Sequence, residues 1–228
     1  ITDLIKRLAV DSLHIVGDIF DRGENPDKIM ELLINHHNAD VQWGNHDIQW
    51  MGAHMGNEAS ILSVVELSLK YGNEDLLEER YGISLRKLSV YAAEYMDDDP
   101  RFLPAAAGEE ARRIARMRKA AFLMQLKAEG HIIERRPEYG MEGRNILRLI
   151  DYGRGTFCGE KLNDASFPGV DPSDPLRFSQ EEREVIEGLK RSFRSSEKLS
   201  RHISFLMRRG SAYKICNNNL IFHGCVPL

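Results

Sequence analysis

Residues 13–23 read Leu13-His14-Ile15-Val16-Gly17-Asp18-Ile19-Phe20-Asp21-Arg22-Gly23, and this stretch decides the fold. A short β-branched run stops at a Gly-Asp pair, as a strand does when it ends in a sharp turn. Helix signals follow: Asn25 as a cap, Pro26 at the first helical position, and Ile29, Met30, Leu32 and Leu33 as an apolar face. Val41-Gln42-Trp43 is a second strand, ending at Gly44-Asn45. Strand, helix, strand implies parallel pairing. In parallel sheets ligands collect beyond the carboxyl ends of the strands, which is where both strands here carry polar residues.

Two further segments extend the pattern. Gly44-Asn45-His46-Asp47 follows the second strand, and Leu220-Ile221-Phe222 runs as an apolar strand into His223-Gly224. Singly, Asp18 or Asn45 is an ordinary turn residue and His223 an ordinary core histidine. Together, strand ends offering Asp, Asn-His and His form a convergent set of hard oxygen and imidazole donors, suited to manganese, iron or zinc. The matching chemistry is metal-assisted hydrolysis of a phosphate ester, in which two cations about 3.5–4 Å apart share a carboxylate. Asp18 is the candidate for the shared ligand, with Asn45 and His223 as further metal ligands. His46 is placed to protonate the leaving alkoxide. Asp21 would orient His46 through a hydrogen bond, and Arg22 would grip phosphate oxygens.

The span between the motifs is a different material. Apolar spacing predicts helices around 61–69 and 85–95, and a long helix over about 109–129 with Gly130 as its stop. Residues 131–134 and 146–150 read as short strands, and 151–178, rich in Gly, Pro and Asp, as a long loop. Ser179 with Glu182 makes a capping box for one helix over about 180–209. The division expected is 1–51 as the first part of an α/β core, 52–212 as a mostly helical insertion, and 213–228 as a return strand of the core.

Bulk properties narrow the class. Of 228 residues, 42% are hydrophobic and 29% charged, a globular profile, and the net charge of −4 marks no polyanion binder, so neither nucleic acid nor a membrane is an expected partner. No apolar run approaches the roughly 20 residues of a membrane span. Cys158, Cys216 and Cys225 are too scattered for a disulfide framework, so the default compartment is the cytoplasm. Ile1 and the stop soon after His223 read as a segment of a longer protein.

The three motifs resemble those of the calcineurin-like metallophosphoesterases, especially the branch with Gly-Asp-x-x-Asp-Arg-Gly, Gly-Asn-His-Glu and a later His-Gly. Two departures stand out: Asp47 replaces the usual Glu, and 177 residues separate His46 from His223. With the helical insertion and the closing Ile221-Phe222-His223-Gly224-Cys225-Val226-Pro227, the chain is similar to the class III fructose-1,6-bisphosphatases of low-GC Gram-positive bacteria. That resemblance implies a metallophosphoesterase core, here truncated at both ends, and a gluconeogenic phosphatase using Mn2+ on a phosphorylated sugar. It also implies a nucleotide or phosphorylated-metabolite effector and admits a homo-oligomer. The family pattern expects an Asp-x-His motif before Asp18 and a further His after His223, so the 228-residue chain alone is expected to be inactive. Rival readings are a phosphatase of phosphoprotein or dinucleoside polyphosphate on the same core, and a non-catalytic scaffold.

Other residues have plainer expectations. His14 packs in the core, His36 and His37 lie on the surface at a helix end, and Trp43 and Trp50 wall the core. His54 is a weaker candidate for touching the site, and Cys225 reads as a small buried hydrophobe. Arg112, Arg113, Arg116, Arg118 and Lys119 form one basic stretch, and Lys190, Arg191, Arg194, Lys198, Arg201, Arg208 and Arg209 another. Each is either a solvated helical face or a place for a phosphate-rich effector or the substrate's second phosphate.

Overall fold

The computed structural model describes residues 1–104, 109–163 and 167–224. In chain order come α1 (Thr2–Ala9), β1 (Leu13–Ile15), α2 (Pro26–Ile34), β2 (Ala39–Gln42), α3 (Asn45–Met55), α4 (Glu58–Lys70), a π-helical turn (Leu76–Arg80) and α5 (Arg86–Tyr95). Then follow α6 (Glu109–Arg135), α7 (Ile146–Leu149), β3 (Ile150–Asp151), β4 (Thr156–Phe157) and β5 (Glu160–Lys161). The chain continues through α8 (Gln180–Ser195), α9 (Glu197–Arg209), β6 (Gly210–Ser211), β7 (Tyr213–Cys216) and β8 (Asn219–Phe222).

β1 and β2 pair in parallel, as the sequence predicts, with Ile15 opposite Val41. Pro26 opens α2 at its first turn, where a missing N–H costs nothing. Asn25 does not cap it; its side-chain oxygen accepts from Arg80 instead, at 2.9 Å. The third strand of this sheet is β6, parallel to β2 with Val41 opposite Gly210, giving the order β1-β2-β6. β8 occupies the expected position at 219–222 but pairs antiparallel with β7 in a separate hairpin. The fold is therefore α/β, with parallel and antiparallel sheets beside a large helical body.

That body is built on α4 and α6. Ile61, Leu62, Val65 and Leu69 of α4 are fully buried, as are Met117, Ala121 and Met124 of α6. Each large side chain so buried contributes about 1.5–3 kcal/mol relative to exposure. The helix does not stop at Gly130. A Cβ there would meet Leu176 Cδ2 at 2.5 Å and Asn145 Oδ1 at 2.9 Å, so the glycine is needed for close approach rather than as a cap. Helix then carries Ile132 and Ile133 to Arg135, with Ile133 buried; the strand expected at 131–134 is helix. Residues 146–149 are likewise helical, and only Ile150–Asp151 is extended. Within 151–178, β3, β4 and β5 form a small antiparallel meander over a second apolar cluster containing Leu147 and Leu176.

The capping box at Ser179 forms in both directions: Ser179 Oγ accepts from Glu182 N–H (3.1 Å) and Glu182 Oε2 from Ser179 N–H (2.8 Å). The helix it starts is broken at Ser196, whose Oγ accepts from Leu199 N–H (3.3 Å) and restarts the chain as α9. Among the described residues, no helix is long and apolar enough to cross a membrane. The reading of Cys225 falls outside the described residues.

Candidate metal and phosphate site

The site is made where the chain leaves β1 and β2. Gly17 and Asp18 both adopt left-handed backbone, with φ of 78° and 53°. Asparagine and aspartate are the non-glycine residues that tolerate this region best. At Gly17 no side chain fits: a Cβ would lie 2.4 Å from both Gln42 O and Gly44 N. The two strand ends thus touch backbone to backbone.

Asp47 locks them together. Its carboxylate, fully buried, accepts from Asp18 N–H (2.7 Å), Gly44 N–H (2.9 Å) and Phe20 N–H (3.4 Å). It sits at the third position of α3 and so serves as that helix's N-terminal anion as well. Burial pushes its carboxyl group above the ordinary range, while the three N–H donors pull the other way. Sequence reasoning noted Asp47 only as a departure from a motif. The missed signal was its place three residues after Gly44, the spacing of a helix N3 acid.

With the loops fixed, the predicted residues come together. Asp18, Asp21 and His46 offer ligand atoms all within 4.8 Å of one another. Asp18 Oδ1 accepts from the His46 N–H (3.1 Å), and His46 Nε2 stands 3.1 Å from Asp21 Oδ1. Asp21 Oδ1 is nevertheless buried and lacks a well-aligned hydrogen bond. His223 Nε2 lies 3.0 Å from Asp18 Oδ2, while its Nδ1 is hydrogen-bonded to the Val16 carbonyl. That carbonyl, and then Asp18, hold the His223 imidazole above its usual pKa against partial desolvation. Asn45 is exposed at the first position of α3, and its side chain makes no hydrogen bond among the described residues. Arg22 Nε is 3.4 Å from Asp21 Oδ1, and its guanidinium carbon lies 5.2 Å from the centre of the Tyr71 ring.

Several secondary candidates lie elsewhere. His54 turns its Nδ1 to the Phe193 carbonyl (3.0 Å), toward α8. His14 is half-buried, bonded to Asp40 at 2.9 Å. His36 and His37 are half-buried too, each against a backbone carbonyl. Trp50 is buried against Phe20, whereas Trp43 is only partly covered and donates to the Leu206 carbonyl. The first basic stretch is paired throughout, and Arg118 and Lys119 are buried rather than solvated, against Glu66 and against Asp97 with Asp99. In the second stretch Lys190, Lys198 and Arg201 pair with Glu58, Asp27 and Glu31.

Comparison with known proteins assigns the chain to a family. A family model described as Firmicute fructose-1,6-bisphosphatase matches residues 1–228. The chain is 48% identical to the class 3 fructose-1,6-bisphosphatase of Bacteroides fragilis, aligned over 99% of the chain and 36% of that protein. It is 46% identical to the class 3 enzymes of Clostridioides difficile and Listeria innocua, with 100% and 99% of the chain and again 36% of each relative covered. The chain therefore spans about a third of the length of these relatives. No solved structure matches it. The chain belongs to the Firmicute fructose-1,6-bisphosphatase family.

Proposed function

We propose that the complete protein is a metallophosphoesterase that hydrolyses fructose 1,6-bisphosphate to fructose 6-phosphate and phosphate, with Mn2+ as its working metal. The observation that carries the reading is the clustering of Asp18, Asp21 and His46, with His223 on Asp18, at the ends of β1 and β2. Family membership supplies the substrate. It alone supports a nucleotide or phosphorylated-metabolite effector.

The donor set fits a divalent cation. It combines carboxylate oxygens with imidazole nitrogen, and Asp21 Oδ1 is a buried anionic oxygen without an aligned donor. Asp18, Asn45 and His223 would hold the metal. Bound metal would supply Lewis-acid stabilisation of the phosphoryl oxygens and a nucleophile at neutral pH.

The chain's own residues do the rest. Arg22 presents a planar fork to the phosphate oxygens. Asp21, 3.1 Å from His46 Nε2, would orient the ring and leave Nδ1 to carry the proton for the leaving group. As the ester P–O bond breaks, the sugar oxygen departs with that proton.

Phosphate release by the complete protein with manganese tests the reading, comparing fructose 1,6-bisphosphate with a phosphopeptide and a dinucleoside polyphosphate. Preference for the bisphosphate is expected. Preference for either of the others moves the protein to a sister phosphatase, and failure to bind any divalent ion leaves it a scaffold.

A further inference from the structure

A second cation stands beside Arg22. Lys70 Nζ lies 5.5 Å from the centre of the Tyr71 ring, the ring that also carries the Arg22 guanidinium at 5.2 Å. Lys70 makes no ion pair among the described residues, and Arg22 has only Asp21, already engaged with His46. A helix C-terminus would by itself favour a lysine at this position. It does not explain why an arginine from the β1 loop should share the same ring.

The arrangement is held, not incidental. α4 ends in a complete Schellman turn, with Gly72 at φ 72°, Gly72 N–H bonded to Leu69 O (3.4 Å) and Asn73 N–H to Ser68 O (2.8 Å). Asn73, buried by the turn, then donates its side-chain N–H to the Arg22 carbonyl (3.2 Å). A continuous chain of contacts thus runs from His46 through Asp21 and Arg22 to Tyr71 and Lys70. It joins the chemistry at the sheet to the end of a helix in the helical body.

We infer that Lys70, set by Tyr71 beside Arg22, binds the second, non-reacting phosphate of a bisphosphorylated sugar. The inference rests on the function proposed above. Two cations held near one aromatic ring repel each other, and a multivalent anion that reaches both relieves that repulsion. A substrate with a phosphate at each end supplies charge both to Arg22 and to Lys70. The tyrosine ring keeps both cations in place without neutralising either.

The test uses the complete protein with manganese and two substrates, fructose 1,6-bisphosphate and p-nitrophenyl phosphate, which has no second phosphate. Lys70→Ala should lower the ratio of their kcat/KM values by about ten-fold or more, through KM for the bisphosphate, as loss of a charge-assisted hydrogen bond predicts. Lys70→Arg should restore most of that ratio, and Tyr71→Phe should keep it while Tyr71→Leu lowers it. Lys70 is exposed, so an unchanged melting temperature is expected and separates recognition from folding. A ratio that stays within about two-fold of the unsubstituted protein in Lys70→Ala overturns the inference, as does an equal fall on both substrates. If the unsubstituted protein leaves fructose 1,6-bisphosphate intact, the functional reading falls and takes this one with it.

Discussion

The helical body and the sheet rim solve opposite problems. In the body, α4 and α6 meet through fully buried Leu62, Val65, Met117 and Met124, and several charges, among them Lys119 and Lys127, are buried with their partners. Lys127, with no exposed surface, donates to both oxygens of Glu182 at 2.8 Å and to the Gly169 carbonyl at 2.7 Å. At the rim, a three-stranded sheet of short strands leaves Val16, Leu32 and Ile48 exposed, and charges are gathered that have no full complement. One region spends its sequence on packing and pairs most of its buried charges. The other spends it on left-handed turns and clustered donors, and it is steadied by a single buried carboxylate, Asp47.

The largest effect that distinguishes them belongs to the rim. His46→Ala in the complete protein should lower turnover by roughly 10²–10⁴-fold, the usual share of a general acid. Metal content, read by elemental analysis, and the melting temperature should hardly move. A variant that loses both activity and metal would make His46 a ligand and blur the division of roles proposed here.

The complementary substitution lies in the body. Lys127→Met leaves Glu182 buried without its cation and should cost about 3–5 kcal/mol in denaturant unfolding. Pairing it with Glu182→Leu should return part of that loss, since apolar groups can replace a buried ion pair while the capping bond to Ser179 is given up. Little change in Lys127→Met would mean that water reaches this pair and that the body is looser than its burial indicates.

Legibility follows the same divide. The rim could be read because its requirements are local: a strand, a left-handed Gly-Asp, a donor. β1, α2 and the two turns that carry Asp18 and His46 each follow from residues within a few positions, and the parallel pairing of β1 with β2 then brings those turns together. Errors arise where a distant contact decides. Ile132 and Ile133 look like a strand until Gly130 is seen against Leu176. The break at Ser196 is local by contrast, since its hydroxyl caps the helix that starts at the next residue. β6, two residues long, is a strand only because Val41 and Gln42 lie beside it. Asn73 escaped for the same reason, since its partner sits 51 residues away, whereas Asp47 also carried a readable local signal at the third position of α3.

A smaller perturbation probes how closely the two strand ends must approach. Gly44 has ordinary backbone angles, so alanine is conformationally acceptable there, but its Cβ would stand 2.0 Å from Asp18 Oδ1. Gly44→Ala should therefore rotate Asp18 away and weaken metal affinity, with a stability loss of about 1–3 kcal/mol, the range for overpacking. Normal metal binding with lowered stability alone would show that the loop, not Asp18, gives way.

The smallest effect separates the regions by pH. His202, fully buried between Glu31 (3.0 Å) and Tyr81 (2.9 Å), joins α9 to α2 beneath the sheet, and burial lowers its pKa. The unfolded chain then binds that proton more readily, so stability from His202 is present above the unfolded value near 6.5 and declines as pH falls below it. Asp99, in the helical body, is held well below the carboxylate range by hydrogen bonds from Arg101, then from Lys119. Its contribution is complete above about pH 4 and is lost only in stronger acid. Melting temperatures across pH should therefore fall in two stages. His202→Gln should flatten the stage that begins below about pH 6.5, and Asp99→Asn the one below about pH 4. If either variant altered the other's stage, the sheet side and the helical body would be titrating as one unit, not two.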